Sequence, residues 1–171
     1  MGKSSLIFRY IKNSCPSEHD PTVEDSYITN ISTLTGESRQ FNILDTAGED
    51  DYQTMMDEWI NSADGLLLVF AINDKDSFEA LKSKMIRIKK INKDKLPFVL
   101  VGNKCDLESK REVDKQAVMD YAKTIGAKYY ESSALTDENG NCKVVFQQCA
   151  HLIITQYNSE HNKGGCPCNI Y

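Results

Sequence analysis

Four polar runs have residue types and spacing suited to chemistry. Gly2-Lys3-Ser4-Ser5 opens a stretch with helical spacing. A helix start presents free N–H groups and a positive dipole end, which suit a phosphate. Lys3 would add a point charge there, and the Ser4 hydroxyl is a ligand for Mg²⁺. Asp45-Thr46-Ala47-Gly48 follows the apolar Ile43-Leu44. A carboxylate in that place can hold Mg²⁺ through its water shell, and Gly48 leaves room for an N–H to approach a terminal phosphate. Taken singly, the first run also fits a polar helix start and the second a plain turn. Asn103-Lys104-Cys105-Asp106 says more. A carboxylate at 106 can accept from both N1–H and the exocyclic amine of guanine, a pair of donors that adenine lacks. The Lys104 stem can cover the base, and Ser132-Ser133-Ala134 offers a backbone N–H to the guanine O6.

These runs need elements to hold them on one rim. Residues 4–12 carry Leu6, Ile7, Tyr10 and Ile11 at helical spacing, and 13–24 is a polar loop with Pro16 and Pro21. Strands are expected at 26–34 and 39–44, joined at Thr35-Gly36-Glu37. The apolar runs 64–71 and 96–101 have the character of buried parallel strands. Helices are expected at 75–91, 114–125 and 141–157, with a short strand at 128–131. Alternating strands and helices give a three-layer α/β sheet with right-handed crossovers, whose ligands bind at the carboxyl ends of the strands. Each chemistry-bearing run sits at such an end. From Asn158 the chain is polar and Gly-rich and reads as a flexible tail, which makes 1–157 one domain and 158–171 its appendage.

Composition agrees. A length of 171 residues suits a single domain, and a net charge of −5 argues against general nucleic-acid binding. The longest apolar run, 66–72, is far short of a membrane span. Of the six cysteines, four are scattered without metal or disulfide spacing and read as reduced thiols, while Cys166 and Cys168 lie in the last six residues.

In order and spacing, these motifs resemble the Ras subfamily of small GTPases over nearly all of the chain to about Tyr157. The match also takes in Asp20-Pro21-Thr22-Val23-Glu24-Asp25-Ser26-Tyr27, which is closer to Ras and Rap than to Rho or Rab. The resemblance implies a P-loop GTPase domain that binds GTP and GDP with Mg²⁺, switches between them and hydrolyses GTP slowly. It implies a nucleotide site of Gly2, Lys3, Ser4, Ser5, Thr22, Gly48, Asn103, Lys104, Asp106, Ser133 and Ala134. Metal ligands would be Ser4, Thr22 and Asp45, and hydrolysis would involve Lys3, Thr22, Gly48 and Glu49. Residues 20–27 would meet effectors with Ras-binding-type domains by strand-edge pairing. Tyr52, Met55 and Met56 would meet exchange factors or pack on the next helix, and GTPase-activating proteins would complete the partners.

The chain departs from the family pattern at several places. Met1 stands one residue before Gly2, where the family has an apolar strand and the rest of its phosphate loop. That strand is normally central, so two neighbours are expected to show unpaired edges, and the natural start is expected upstream. As written, the chain also fits a second reading, an interaction module that holds no nucleotide. Glu49 replaces the water-positioning Gln; an ionised carboxylate only accepts, so it would either orient water or repel the γ-phosphate. Cys15 replaces an aromatic beside the base, His19 a Tyr near the phosphates, and Leu135 a base-stacking Lys. The end, Cys168-Asn169-Ile170-Tyr171, resembles a CaaX prenylation signal, with Cys166 as a palmitoylation site. Because one lipid holds a membrane only marginally, both would be needed. They would place the protein on the cytoplasmic face of the plasma membrane, after a cytosolic stage.

Overall fold

A computed structural model describes residues 2–15, 24–46, 53–92, 96–137, 141–161 and 168–170. Helix α1 (Lys3–Lys12) turns Leu6 and Ile7 inward, as their spacing requires, and ends at Asn13, whose N–H caps Arg9 O. Strand β1 (Glu24–Ser32) runs antiparallel to β2 (Ser38–Thr46), with Glu24 opposite Thr46 and Ser32 opposite Ser38. The turn closes by Thr33 N–H donating to Glu37 O at 2.7 Å. Gly36 sits there with φ +85, a conformation costly for a residue with a Cβ. This turn ends β1 at Ser32, two residues before the expected boundary.

Strands β3 (Leu66–Ala71), β4 (Phe98–Asn103) and β5 (Lys128–Glu131) are parallel neighbours in that order. Parallel pairing needs crossovers, and α3 (Lys75–Asn92) and α4 (Lys115–Ile125) supply them. Their side chains alternate between two layers. Val69, Val99 and Val101 join Leu6, Ile7 of α1 and Val145, Phe146 of α5 (Asn141–His161) in one core. Phe70 and Leu100 face Phe78, Leu81, Val118 and Ala122 on the other side. Helix α2 (Gln53–Ser62), absent from the expected elements, packs Ile60 against Met85 and Ile88 of α3. Met56 is half-buried against that same cluster. Cys142 and Cys149 are core residues of α5, their thiols lying against Leu6 O and Leu66 O, and burial pushes both up to about 12.

The C-terminal region differs from the flexible tail expected from 158 onward. Helix α5 continues to His161 because Arg39 of β2 holds its last turns: Nη2 donates to Asn158 Oδ1 at 3.2 Å, and the guanidinium lies 5.6 Å from the Tyr157 ring centre. Residues Cys168–Ile170 then form β6, parallel to β2, with Phe41 opposite Cys168 and Ile43 opposite Ile170. A single bridge from Ile170 to Gly65 joins β6 to the start of β3. The edges of β2 and β3 expected to stand unpaired are therefore partly covered by the chain's own end. Cys168, expected to carry a prenyl group, is 2% exposed in this arrangement and out of reach of any lipid-attaching enzyme.

Candidate functional site

Asn103 ends β4 with its side chain 1% exposed. Its Nδ2 donates to Gly2 O at 3.3 Å, and its Oδ1 accepts from Ala134 N–H at 3.3 Å. One amide thus joins the start of α1, the end of β4 and the loop after β5. Sequence reasoning gave Asn103 a direct place in the nucleotide site; here it braces the frame of that site. Gly2 is fitted to the brace: its φ is +84, and a Cβ would lie 2.7 Å from Asn103 Nδ2.

Beyond Asn103 the chain turns through Lys104, in the left-handed conformation at φ 64, into a 3-10 turn, Cys105–Lys110. Asp106 lies exposed on it. Its Oδ1 accepts from Ser133 Oγ at 2.5 Å, and that same Ser133 oxygen accepts from the N–H groups of Leu135 and Thr136 at 3.2 and 3.1 Å. Ser133 is therefore a hub that aims the carboxylate and shapes the loop, while Asp106 keeps acceptor capacity toward solvent. Cys105 N–H donates to Ser132 O, which ties the two loops by backbone as well.

On the phosphate side, Lys3, Ser4 and Ser5 form the first turn of α1. Asp45, 2% exposed, lies near the end of β2. Burial lowers the affinity of Lys3 for its proton, and the Asp45 charge acts in the opposite sense. Lys3 and Asp45 line a cavity of about 40 Å³ with Thr46, Leu6, Phe146 and Ile170 among its walls. That volume suits a water or two.

Glu24, Asp25 and Ser26 are exposed at the head of β1, and Tyr27 OH donates to Asp25 Oδ2 at 3.1 Å. Trp59 of α2 donates its Nε1–H to Glu24 Oε2 at 2.9 Å. Leu135, in the place of the stacking Lys, is exposed. Asp20, Pro21, Thr22, Val23, Gly48, Glu49, Cys166, His19 and Tyr52 lie outside the described residues.

One supporting group escaped sequence reasoning, and a second entered it only as the head of the matched Glu131-Ser132-Ser133-Ala134 run. Arg9 reaches from α1 to donate to Ala134 O at 2.7 Å and to Leu135 O at 2.6 Å, clamping the base-side loop on the phosphate-side helix. With about 125 residues between the partners, no local pattern marks it. Glu131, the first residue of the Glu-Ser-Ser-Ala run, accepts from Tyr129 OH at 2.6 Å and pairs with Arg111 and Lys115, each at 3.1 Å. Burial opposes its ionisation, yet bonds from Tyr129, Lys115 and Arg111 hold the carboxyl below its usual range.

The described half of the site fits a nucleotide and its Mg²⁺ on its own chemistry. A hydroxyl and a buried carboxylate beside a helix start supply hard oxygen donors, and an exposed, braced carboxylate has the acceptors a guanine base would need. A mixed α/β sheet with these loops on one rim defines a P-loop nucleotide-binding domain. The Ras family model matches residues 1–155. The chain is also similar to Ras-related protein R-Ras of Mus musculus, at 35% identity over 181 residues, spanning 98% of this chain and 81% of that protein. The chain belongs to the Ras family and is a small GTPase by descent.

Proposed function

We propose that this chain is a guanine-nucleotide switch that binds GTP and GDP, hydrolyses GTP slowly and engages effectors in its GTP form. The observation that supports this most is the bracing of Asn103 between Gly2 and Ala134, with Asp106 aimed by Ser133. Such a frame sets the phosphate end and the base end of a nucleotide at a fixed separation. In this reading Asp106 accepts from the guanine N1–H and amine, the Ala134 region offers its N–H groups to O6, and the Lys104 stem covers the base. Lys3 places its charge on the terminal phosphates, where a phosphate dianion would reverse the effect of burial on its proton. Ser4 and Asp45, with Thr22, would hold Mg²⁺, which neutralises charge that develops on the transferred phosphoryl group. Glu49 would face the attacking water, and Glu49→Gln turnover, alone and with an activating partner, reports whether its carboxylate orients or repels.

Effector recruitment rests on β1, which among the described residues has β2 on one side only and presents Glu24 and Asp25 beside the exposed Ile28. An exposed strand edge with acidic residues suits a basic partner strand. Attachment to the plasma membrane through lipid on Cys168 and Cys166 belongs to the same reading and requires residues 168–170 to leave the sheet.

A second reading, an interaction module without nucleotide, draws on the exposed acidic head of β1 alone. Titration with fluorescent GDP separates the two. The switch reading expects saturable binding displaced by guanine but not adenine nucleotides. Asp106→Ala should weaken it by about 100-fold, two charge-assisted bonds being lost. Absence of guanine preference in the unaltered chain rejects the switch.

A further inference from the structure

The 3-10 turn that carries Asp106 is broken in the middle. Cys105–Lys110 is two short turns across a kink at Leu107 (φ −94, ψ 36), with Asp106 before the kink and Glu108 after it. Arg111, the residue that follows, returns its side chain onto the second half: Nε and Nη2 form a fork on the Glu108 carboxylate at 2.8 and 2.5 Å. Its remaining nitrogen, Nη1, meets Glu131 Oε1 at 3.1 Å and the Val113 carbonyl at 3.4 Å. Glu131 ends β5 and leads directly into Ser132-Ser133-Ala134. One guanidinium thus ties the loop of Asp106 to the loop of Ala134, at the far side of Leu107 from the Ser133–Asp106 bond. Glu108 is 67% exposed, so its pair with Arg111 adds little to stability. What a two-bond fork fixes is direction, and a lysine ammonium in its place would keep the charge without that geometry.

We propose that Arg111 is a positioning residue for base selectivity, which acts through Glu108 and Glu131 to hold the 3-10 turn so that both oxygens of Asp106 meet one base edge. The proposal rests on the nucleotide-switch reading and names what sets its selectivity. Asp106 is exposed, and Ser133 fixes it through Oδ1 alone. A carboxylate held at one point still pivots with its backbone, and hydrogen bonds weaken steeply as their angles fall. Anchoring the chain beyond Leu107 removes that pivot. A loosened turn loses the second of two base contacts first. Its cost is therefore larger in discrimination between guanine and a base without the exocyclic amine than in binding itself.

The test is displacement of fluorescent GDP by GDP and by inosine diphosphate, which keeps N1–H and O6 but lacks the amine, with thermal melts and amide exchange on the full chain. The unaltered chain should prefer GDP by about tenfold or more, the worth of one charge-assisted bond. Arg111→Lys keeps a charge beside Glu131; it should melt close to the unaltered chain yet prefer GDP by less than about threefold. Glu108→Ala, at an exposed position, should lose the same preference with Tm unchanged. In that variant Cys105 N–H, bonded to Ser132 O across the two loops, should exchange several-fold faster while β4 amides stay protected. Glu108→Ala decides the matter if Arg111→Lys unfolds. A full GDP preference in Glu108→Ala overturns the proposal and leaves the switch reading intact. So does a preference that falls only in step with Tm, because Arg111 would then act on stability alone. An unaltered chain that binds the two nucleotides alike, or neither, overturns both.

Discussion

Every residue of β4, from Phe98 to Asn103, is buried, whereas β1 exposes Glu24, Asp25, Ser26 and Ile28. The two strands stand for two three-stranded sheets, the two halves of the fold, joined by one isolated bridge. The β3–β4–β5 half is parallel and covered by helices on both faces, and it ends in loops whose polar groups are bonded to one another. The β1–β2–β6 half is a hairpin with an open edge, completed by three residues from the far end of the chain. In the proposed reading, base recognition would rest on the rigid half. The surface that would exchange partners, the β1 edge, is on the half with fewer internal constraints. Rigid elements hold a site to tight geometry, and marginal ones can move.

The sharpest way to break this contrast is Asn103→Ala. It removes the link between Gly2 O and Ala134 N–H in a buried setting, where each orphaned group costs about 1–3 kcal/mol. A loss of about 3 kcal/mol is expected, read as a fall of about 10 °C in Tm, with guanine affinity falling alongside. Stability near that of the unaltered chain would show that the rigid half does not depend on its brace. Asp106→Ala should act mainly on recognition, removing guanine preference at a cost of about 1 kcal/mol of stability, because the buried Ser133 hydroxyl loses its acceptor.

Arg9→Ala comes next. Two charge-assisted bonds to Ala134 O and Leu135 O go, at a partly exposed position, so about 1 kcal/mol of stability is expected to be lost. Nucleotide release should quicken several-fold as the loop loosens. Stopped-flow displacement of fluorescent GDP measures it.

The smallest effect is electrostatic. Because the Glu131 carboxyl is held below its usual range, it contributes stability that is full above the unfolded carboxylate value of about 4.3 and is lost as pH falls through its folded value. Urea midpoints taken between pH 6 and pH 3 should therefore fall less steeply in Glu131→Gln than in the unaltered chain. Equal slopes would remove Glu131 from the rigid half's electrostatics.

How legible each half was follows from the same contrast. Val99-Leu100-Val101 reads as a buried strand because both its faces are covered, and α3 shows its core face through Phe78, Leu81, Met85 and Ile88 at helical spacing. The loop motifs stood out because their residue types suit phosphate and purine chemistry. What sequence reasoning missed is long-range. The last turn of α5 is polar, and it persists through Arg39, 119 residues away. Strand β6 is only Cys-Asn-Ile, too short to show a period, and its partners are 105 residues or more upstream. Helix α2 carries its apolar contacts on Met56 and Ile60, too few to mark a stripe.

The two core thiols of α5 have a practical corollary. With burial pushing Cys142 and Cys149 up to about 12, almost none of either is thiolate at neutral pH. Alkylating or oxidising reagents will pass over both while the fold holds. Modification at either one thus reports opening of the core around α5, a built-in alarm against which other cysteine signals can be judged.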